Sequence, residues 1–219
     1  MKSKSKSKSF PAILMPLVLL LLSSCLVLSL DIALNQNGSG TVALEYQVLR
    51  ALESLGRLDG NERWNAIPVG RADFERSLDR LPEMKLLSFS SKEDEKNLTS
   101  AARMEFSSIT GLLAFLDAGG RRSSFSGDAR SGRLVLTLSE GAGIENPGLD
   151  DLIAEISSSY AVSISMSFPG EGSLELLDKQ GMPLPLGSEF NARGRKLSCS
   201  FPLYEVLSSE DGINVVFSW

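Results

Sequence analysis

Between Leu26 and Val48 apolar side chains fall on every second residue, in two successive runs, and this commits the start of the chain to β-structure. Leu26, Leu28, Leu30, Ile32 and Leu34 share one face, with Val27, Ser29, Asp31 and Ala33 on the other. A period of two is the repeat of a strand that buries one face. Asn35-Gln36-Asn37-Gly38-Ser39-Gly40 supplies turn chemistry, because Asn and Gly tolerate positive φ. Val42, Leu44, Tyr46 and Val48 then alternate again. The opening unit is predicted to be a β-hairpin.

The segment before that hairpin is of a different kind. Lys2, Lys4, Lys6 and Lys8 alternate with serines, an apolar stretch runs from Phe10 to Leu22, and Ser23-Ser24-Cys25 follows. A basic region, an apolar region and small residues at the cut describe a secretory signal peptide. The uncharged run from Phe10 to Leu30 is also about long enough to cross a bilayer as a helix, which takes ~20 residues. Pro11 and Pro16 inside the run, Ser23 and Ser24 at a cleavage position, and the strand pattern right after Cys25 favour cleavage between Ser24 and Cys25. Residues 1–24 are therefore read as the signal peptide and residues 25–219 as a single domain.

Loss of the leader removes four lysines and no acids, taking the formal charge from −5 to −9. An acidic chain is a poor partner for nucleic acid, whose affinity comes largely from Lys and Arg on phosphates. The sequence holds no histidine, which removes the commonest general base, the usual zinc ligand and any Ser-His-Asp or Cys-His triad. Only Cys25 and Cys199 are present, so a lipidated Cys25 leaves no disulfide and the fold must rest on its core.

Further along, Val48, Leu49, Leu52 and Leu55 suggest a short helix, and Phe74, Leu78 and Leu81 a second one stopping at Pro82. Met84 to Ser90 reads as a strand with apolar residues on both faces. A charged tip, Lys92-Glu93-Asp94-Glu95-Lys96, leads to another strand ending at Phe106. Ser107 or Ser108 caps a helix with the stripe Ile109, Leu112, Leu113 and Leu116, closed by Gly119-Gly120. Leu134, Leu136 and Leu138 alternate as a strand. Pro147 opens a helix with Leu149, Leu152, Ile153 and Ile156 on one face. Val162, Ile164, Met166 and Phe168 alternate with serines until Pro169-Gly170 turns the chain, and Ile213, Val215, Phe217 and Trp219 form a terminal strand. The predicted class is α+β, an antiparallel sheet with short amphipathic helices packed on one face.

The polar constellations mostly have structural explanations. Glu93-Asp94-Glu95 and Asp150-Asp151 are sequence neighbours, whereas glycoside hydrolysis needs two carboxyls held ~5–10 Å apart across a sugar ring. Gly119-Gly120-Arg121-Arg122 fits a helix end followed by a solvated basic pair. Asn35 to Gly40 lacks the carboxylates of a calcium loop. No serine lies in Gly-x-Ser-x-Gly, and Ser90-Ser91-Lys92 and Ser198-Cys199 lack the context for activation. Asn97-Leu98-Thr99 matches the glycosylation triplet by chance composition. Cys199 alternates with Leu197 and Phe201 and is expected to be a buried thiol. No catalytic residue, cofactor or metal site is expected.

Ser24-Cys25, the alternating strand, Asn37-Gly38-Ser39-Gly40 and the second strand through Tyr46 resemble the start of LppM-type bacterial lipoproteins and of spirochaete lipoproteins of similar length. The strand from Val162 to Phe168 with Pro169-Gly170 adds to the likeness. The resemblance implies an envelope domain after a lipidated cysteine, without enzymatic activity, and only Cys25 carries over as a functional residue. Several relatives of this type end in a transmembrane helix, and no such segment precedes Trp219, which leaves Cys25 as the expected anchor. The expected role is non-catalytic binding or structure at the envelope. Its partners would be the membrane, through lipidated Cys25, and an envelope protein or lipid. The alternative is a lipid carrier lying on the bilayer, with strands such as Leu86-Leu87-Ser88-Phe89 lining an apolar cavity.

Overall fold

The computed structural model describes residues 27–49, 70–95, 97–117, 122–144, 150, 151, 154, 155, 157, 160–185 and 189–219. The leader, Ser24 and Cys25, Leu52 and Leu55, Gly119 to Arg121, and the stripe Leu149, Leu152, Ile153 and Ile156 lie outside these residues.

The hairpin at the start folds as its alternation requires. Strand β1 (Val27–Leu34) pairs antiparallel with β2 (Gly40–Leu49), Leu34 standing opposite Gly40 and Leu30 opposite Leu44. Asn37 Oδ1 accepts the Ser39 N–H at 3.1 Å and its hydroxyl at 2.8 Å, while Gly38 takes φ 83°. Gly40 has no freedom to change, because a Cβ there would lie 2.0 Å from the Ala33 carbonyl oxygen.

Strands β3 (Met84–Glu93), β4 (Asn97–Phe106), β5 (Ser123–Gly127), β6 (Gly132–Ser139), β7 (Ala161–Leu177), β8 (Arg193–Pro202) and β9 (Ile213–Ser218) complete one sheet. Its order is β3-β4-β2-β1-β7-β9-β6-β5, with β8 on β7 off that path. The fold is mostly β-sheet, curled into a half-barrel with few helices. Its concave side holds a continuous core from Ile32, Val42 and Met104 through Met166 and Leu197 to Val215 and Phe217.

The sheet is not purely antiparallel. β1 and β7 run parallel, Leu28 to Ala33 beside Val162 to Ser167. Parallel neighbours need a long crossover, and the whole chain between β2 and β7 serves as one. A second difference concerns Pro169-Gly170, where a turn was expected. β7 continues straight through it for 17 residues, with a register break between Ser167 and Gly172. Proline lacks the ladder donor and is tolerated at such irregularities. The first half of β7 lies between β1 and β8, and its second half carries β9. One long strand thereby joins two half-sheets and lets them curl around a common core.

Helix α1 (Arg71–Leu78) buries Phe74 and Leu78, with Phe74 against Tyr46 and Phe89 at ring-centroid distances of 6.2 and 5.4 Å. Helix α2 (Ile109–Leu116) starts at Ser108, whose hydroxyl accepts the Gly111 N–H at 3.1 Å and donates to Glu83 Oε2 at 2.9 Å. Helix α3 (Leu203–Ser208), not foreseen from sequence, buries Leu203 and Val206. The helices do not form one layer: α1 meets β3, α2 meets β3, β4 and β5, and α3 meets β6 and β8.

Val48 and Leu49 belong to β2 and not to a helix, their backbones pairing with Leu98 and Asn97. Their period-two continuity with Tyr46 outweighs the weak helical spacing. A bulge in β3 between Leu86 and Ser88 turns Leu87 out to 43% exposure, while Phe89 packs against Phe74.

Candidate functional site

The inward positions of the sheet are packed and mostly apolar, with Ser100 and the Tyr46 hydroxyl as buried polar groups among them, so most polar chemistry of the described residues lies on its outer face and at its rims. On the outer face the registers set three cross-strand rows over β8, β7, β1, β2, β4 and β3. These run Ser200-Ser163-Ser29-Glu45-Ala101-Ser90, then Ser198-Ser165-Asp31-Ala43-Arg103-Ser88, then Lys196-Ser167-Ala33-Thr41-Glu105-Lys85. Small residues and hydroxyls dominate, and the Ser163 and Ser200 hydroxyls lie 3.0 Å apart. A shallow cleft of about 220 Å³ crosses this face beside Asp31, Glu45, Ser88, Ser90 and Arg103. Lys196 Nζ pairs with Asp31 Oδ2 at 3.0 Å.

A second cleft, of about 330 Å³, lies at the rim where β1 ends. Gln36 enters it from the β1–β2 turn, Pro169, Gly170 and Glu171 from the irregular middle of β7, and Ala129 and Arg130 from the β5–β6 turn. Trp219 stacks against Phe125 and Phe168 at centroid distances of 5.7 and 5.0 Å, and its indole N–H donates to the Ala129 carbonyl at 3.2 Å. Room for the indole comes from Gly132, where a Cβ would lie 2.6 Å from Trp219 Cζ2. The β5–β6 turn is fixed by Asp128, whose Oδ1 accepts the N–H of Arg130 at 2.7 Å and of Ser131 at 3.0 Å. Those two backbone hydrogen bonds hold the Asp128 carboxyl below its ordinary value. Neither β5 nor this cleft was foreseen, although Gly127-Asp128 and Ser131-Gly132 between Phe125 and Leu134 carry the signature of a tight hairpin.

The residues weighed from sequence fall at separate places. Asp94 closes the β3–β4 turn, its Oδ1 accepting the Asn97 N–H at 2.7 Å, so Glu93-Asp94-Glu95 serves a hairpin and Asn97 lies in β4. Ser90, Ser91 and Lys92 are ladder residues of β3 opposite Ala101, Ser100 and Thr99. Asp150 and Asp151 are helical, and Asp150 accepts the Tyr204 hydroxyl at 2.9 Å, which raises the Tyr204 pKa. Arg122 lies 3.4 Å from Glu140, and its N–H donates to the Asp117 carboxylate, which also accepts the Ser123 N–H at 2.8 Å. Cys199 is 2% exposed, with burial pushing its thiol up to about 12.

Among the described residues, no group of three or more His, Cys, Asp or Glu is placed to hold a metal ion, and no helix is long and apolar enough to cross a membrane. Both of these clefts open to solvent and mix polar with apolar walls.

No protein-family model matches the chain, and no curated protein matches its sequence. Among solved structures, the NMR structure of the folded domain of Mycobacterium tuberculosis LppM is similar. It has 10% sequence identity and a TM-score of 0.44, covering 89% of this chain and 90% of that one. A likeness of that degree carries no inference about function. The expected likeness to spirochaete lipoproteins finds no support in these comparisons.

Proposed function

We propose that the chain is a lipoprotein of the bacterial envelope, anchored through Cys25 and holding its sheet domain against the membrane in a non-catalytic binding or structural role. One observation carries this reading. The sequence places a basic, then apolar, then Ser-Ser-Cys leader directly before a strand that begins at Val27, two residues past the cysteine. A cleaved leader needs a junction with small residues, and Ser23 and Ser24 provide it. A single acyl chain binds only marginally, whereas a diacylglyceryl thioether supplies two chains and holds stably. With no linker between anchor and strand, the rim at the start of β1 would rest on the bilayer.

Mass spectrometry of the mature protein tests this. The expected species begins at Cys25 and carries the mass of the lipid, and Cys25→Ala should leave the full precursor from Met1. An intact Met1 in the native protein, or an unmodified Cys25, would refute it. The non-catalytic role would be overturned by a hydrolytic activity on envelope polymers that one serine or carboxylate substitution abolishes.

A further inference from the structure

We propose that the cleft at the far end of β1 binds a small zwitterion, an amino acid or short peptide with free ammonium and carboxylate groups. Arg130 and Glu171 line the same cleft and are both exposed. Neither is in salt-bridge contact with the other or with another described residue, although Arg130 attracts the Asp128 carboxylate, which the turn backbone already engages. An anion alone would face the Glu171 carboxylate, and a cation alone the guanidinium. A ligand carrying both charges satisfies both groups, and each charge-assisted hydrogen bond is stronger than a neutral one. The Gln36 carboxamide adds a donor and an acceptor beside them.

The walls are held in place before any ligand arrives. Asp128 pins the backbone of Arg130, the indole of Trp219 is fixed by stacking and by Ala129, and Pro169 is conformationally stiff. Ordering on binding is then confined to the exposed side chains of Arg130, Glu171 and Gln36. The volume of about 330 Å³ is at the small end for ligand pockets, which suits one amino acid or a dipeptide better than a lipid.

The position of the cleft also fits. β1 and β7 run parallel from the rim that follows Cys25, and at about 3.3 Å per residue the eight residues of β1 carry the chain roughly 25 Å before the cleft is reached. With the anchoring proposed above, which the binding itself does not require, the cleft faces away from the bilayer.

Trp219 provides the readout. The chain has two tryptophans, so Trp64→Phe in the detergent-solubilised full chain leaves one indole, at the cleft. Titration with alanyl-alanine should give a saturable change in Trp219 fluorescence. The N-acetylated and C-amidated dipeptides should bind about tenfold more weakly, the scale of one charged hydrogen bond. Arg130→Gln should erase the discrimination against the amide, and Glu171→Gln that against the acetylated form. Calorimetric titration of the chain with both tryptophans intact should give the same ranking, and it decides the matter if Trp64→Phe does not fold. No saturable binding at millimolar dipeptide, equal binding of all three dipeptides, or preferential binding of glucose would overturn the proposal. An unlipidated Cys25 would leave these titrations unchanged and refute only the anchoring.

Discussion

Ile32→Ala and Asp31→Ser, neighbours on β1, should differ several-fold in their effect on stability. Ile32 is fully buried and stands in register between Val42 of β2 and Met166 of β7. Truncation to alanine removes three carbons, about 2.4 kcal/mol at ~0.8 kcal/mol each. The cavity left at the junction of three strands adds about 1 kcal/mol, since the surrounding ladders cannot collapse into it. The expected loss is therefore about 3–4 kcal/mol. Asp31 lies on the outer face, and its side chain remains 43% exposed beside Lys196. An exposed ion pair contributes about 0–1 kcal/mol, so Asp31→Ser should cost no more than that. Urea unfolding followed by far-UV circular dichroism measures both. With a slope of about 2 kcal/mol per molar urea, the Ile32 midpoint should fall by roughly 1.5–2 M and the Asp31 midpoint by less than 0.5 M. Equal shifts, or a larger one at Asp31, would refute the assignment of inner and outer faces on β1.

Ser108→Ala should cost about 1 kcal/mol in the same assay, because the hydroxyl caps α2 at Gly111 and also reaches Glu83; an unchanged midpoint would refute the cap. Cys199 should resist thiol reagents until the protein unfolds, since burial pushes its pKa to about 12 from an ordinary 9.0. The folded state then binds the proton more tightly than the unfolded one, so this contribution is intact below about pH 9 and is lost as pH rises towards 12. Burial pushes Tyr46 up to about 12 as well and adds to the same alkaline decline. Cys199→Ala should flatten the fall in urea midpoint between about pH 9 and 11 without removing it, and an identical slope in variant and parent would show that the thiol is accessible.

Much of the local structure was legible because it depends on neighbours in sequence. Alternation marked β1, β2, β6, the first half of β7 and β9, and the spacing of Phe74 and Leu78, with Ser108 ahead of Leu112, marked α1 and α2. The buried state of Cys199 followed from its place between Leu197 and Phe201. The exclusion of histidine chemistry needed only composition.

What the sequence left open was decided by contacts between distant segments. Pro169-Gly170 has the dipeptide chemistry of a turn, but β8 and β9 supply ladder partners on either side of the break and hold β7 extended through it. The parallel pairing of β1 with β7 joins residues more than a hundred positions apart, and no local pattern encodes a partner at that separation. The far cleft has the same origin, since Gln36, Arg130, Glu171 and Trp219 come from four separate parts of the chain. Each one alone reads as an ordinary turn or terminal residue. Only the curl of the sheet brings a guanidinium and a carboxylate to the same rim, because strand pairing in three dimensions, and not sequence spacing, sets which charges become neighbours.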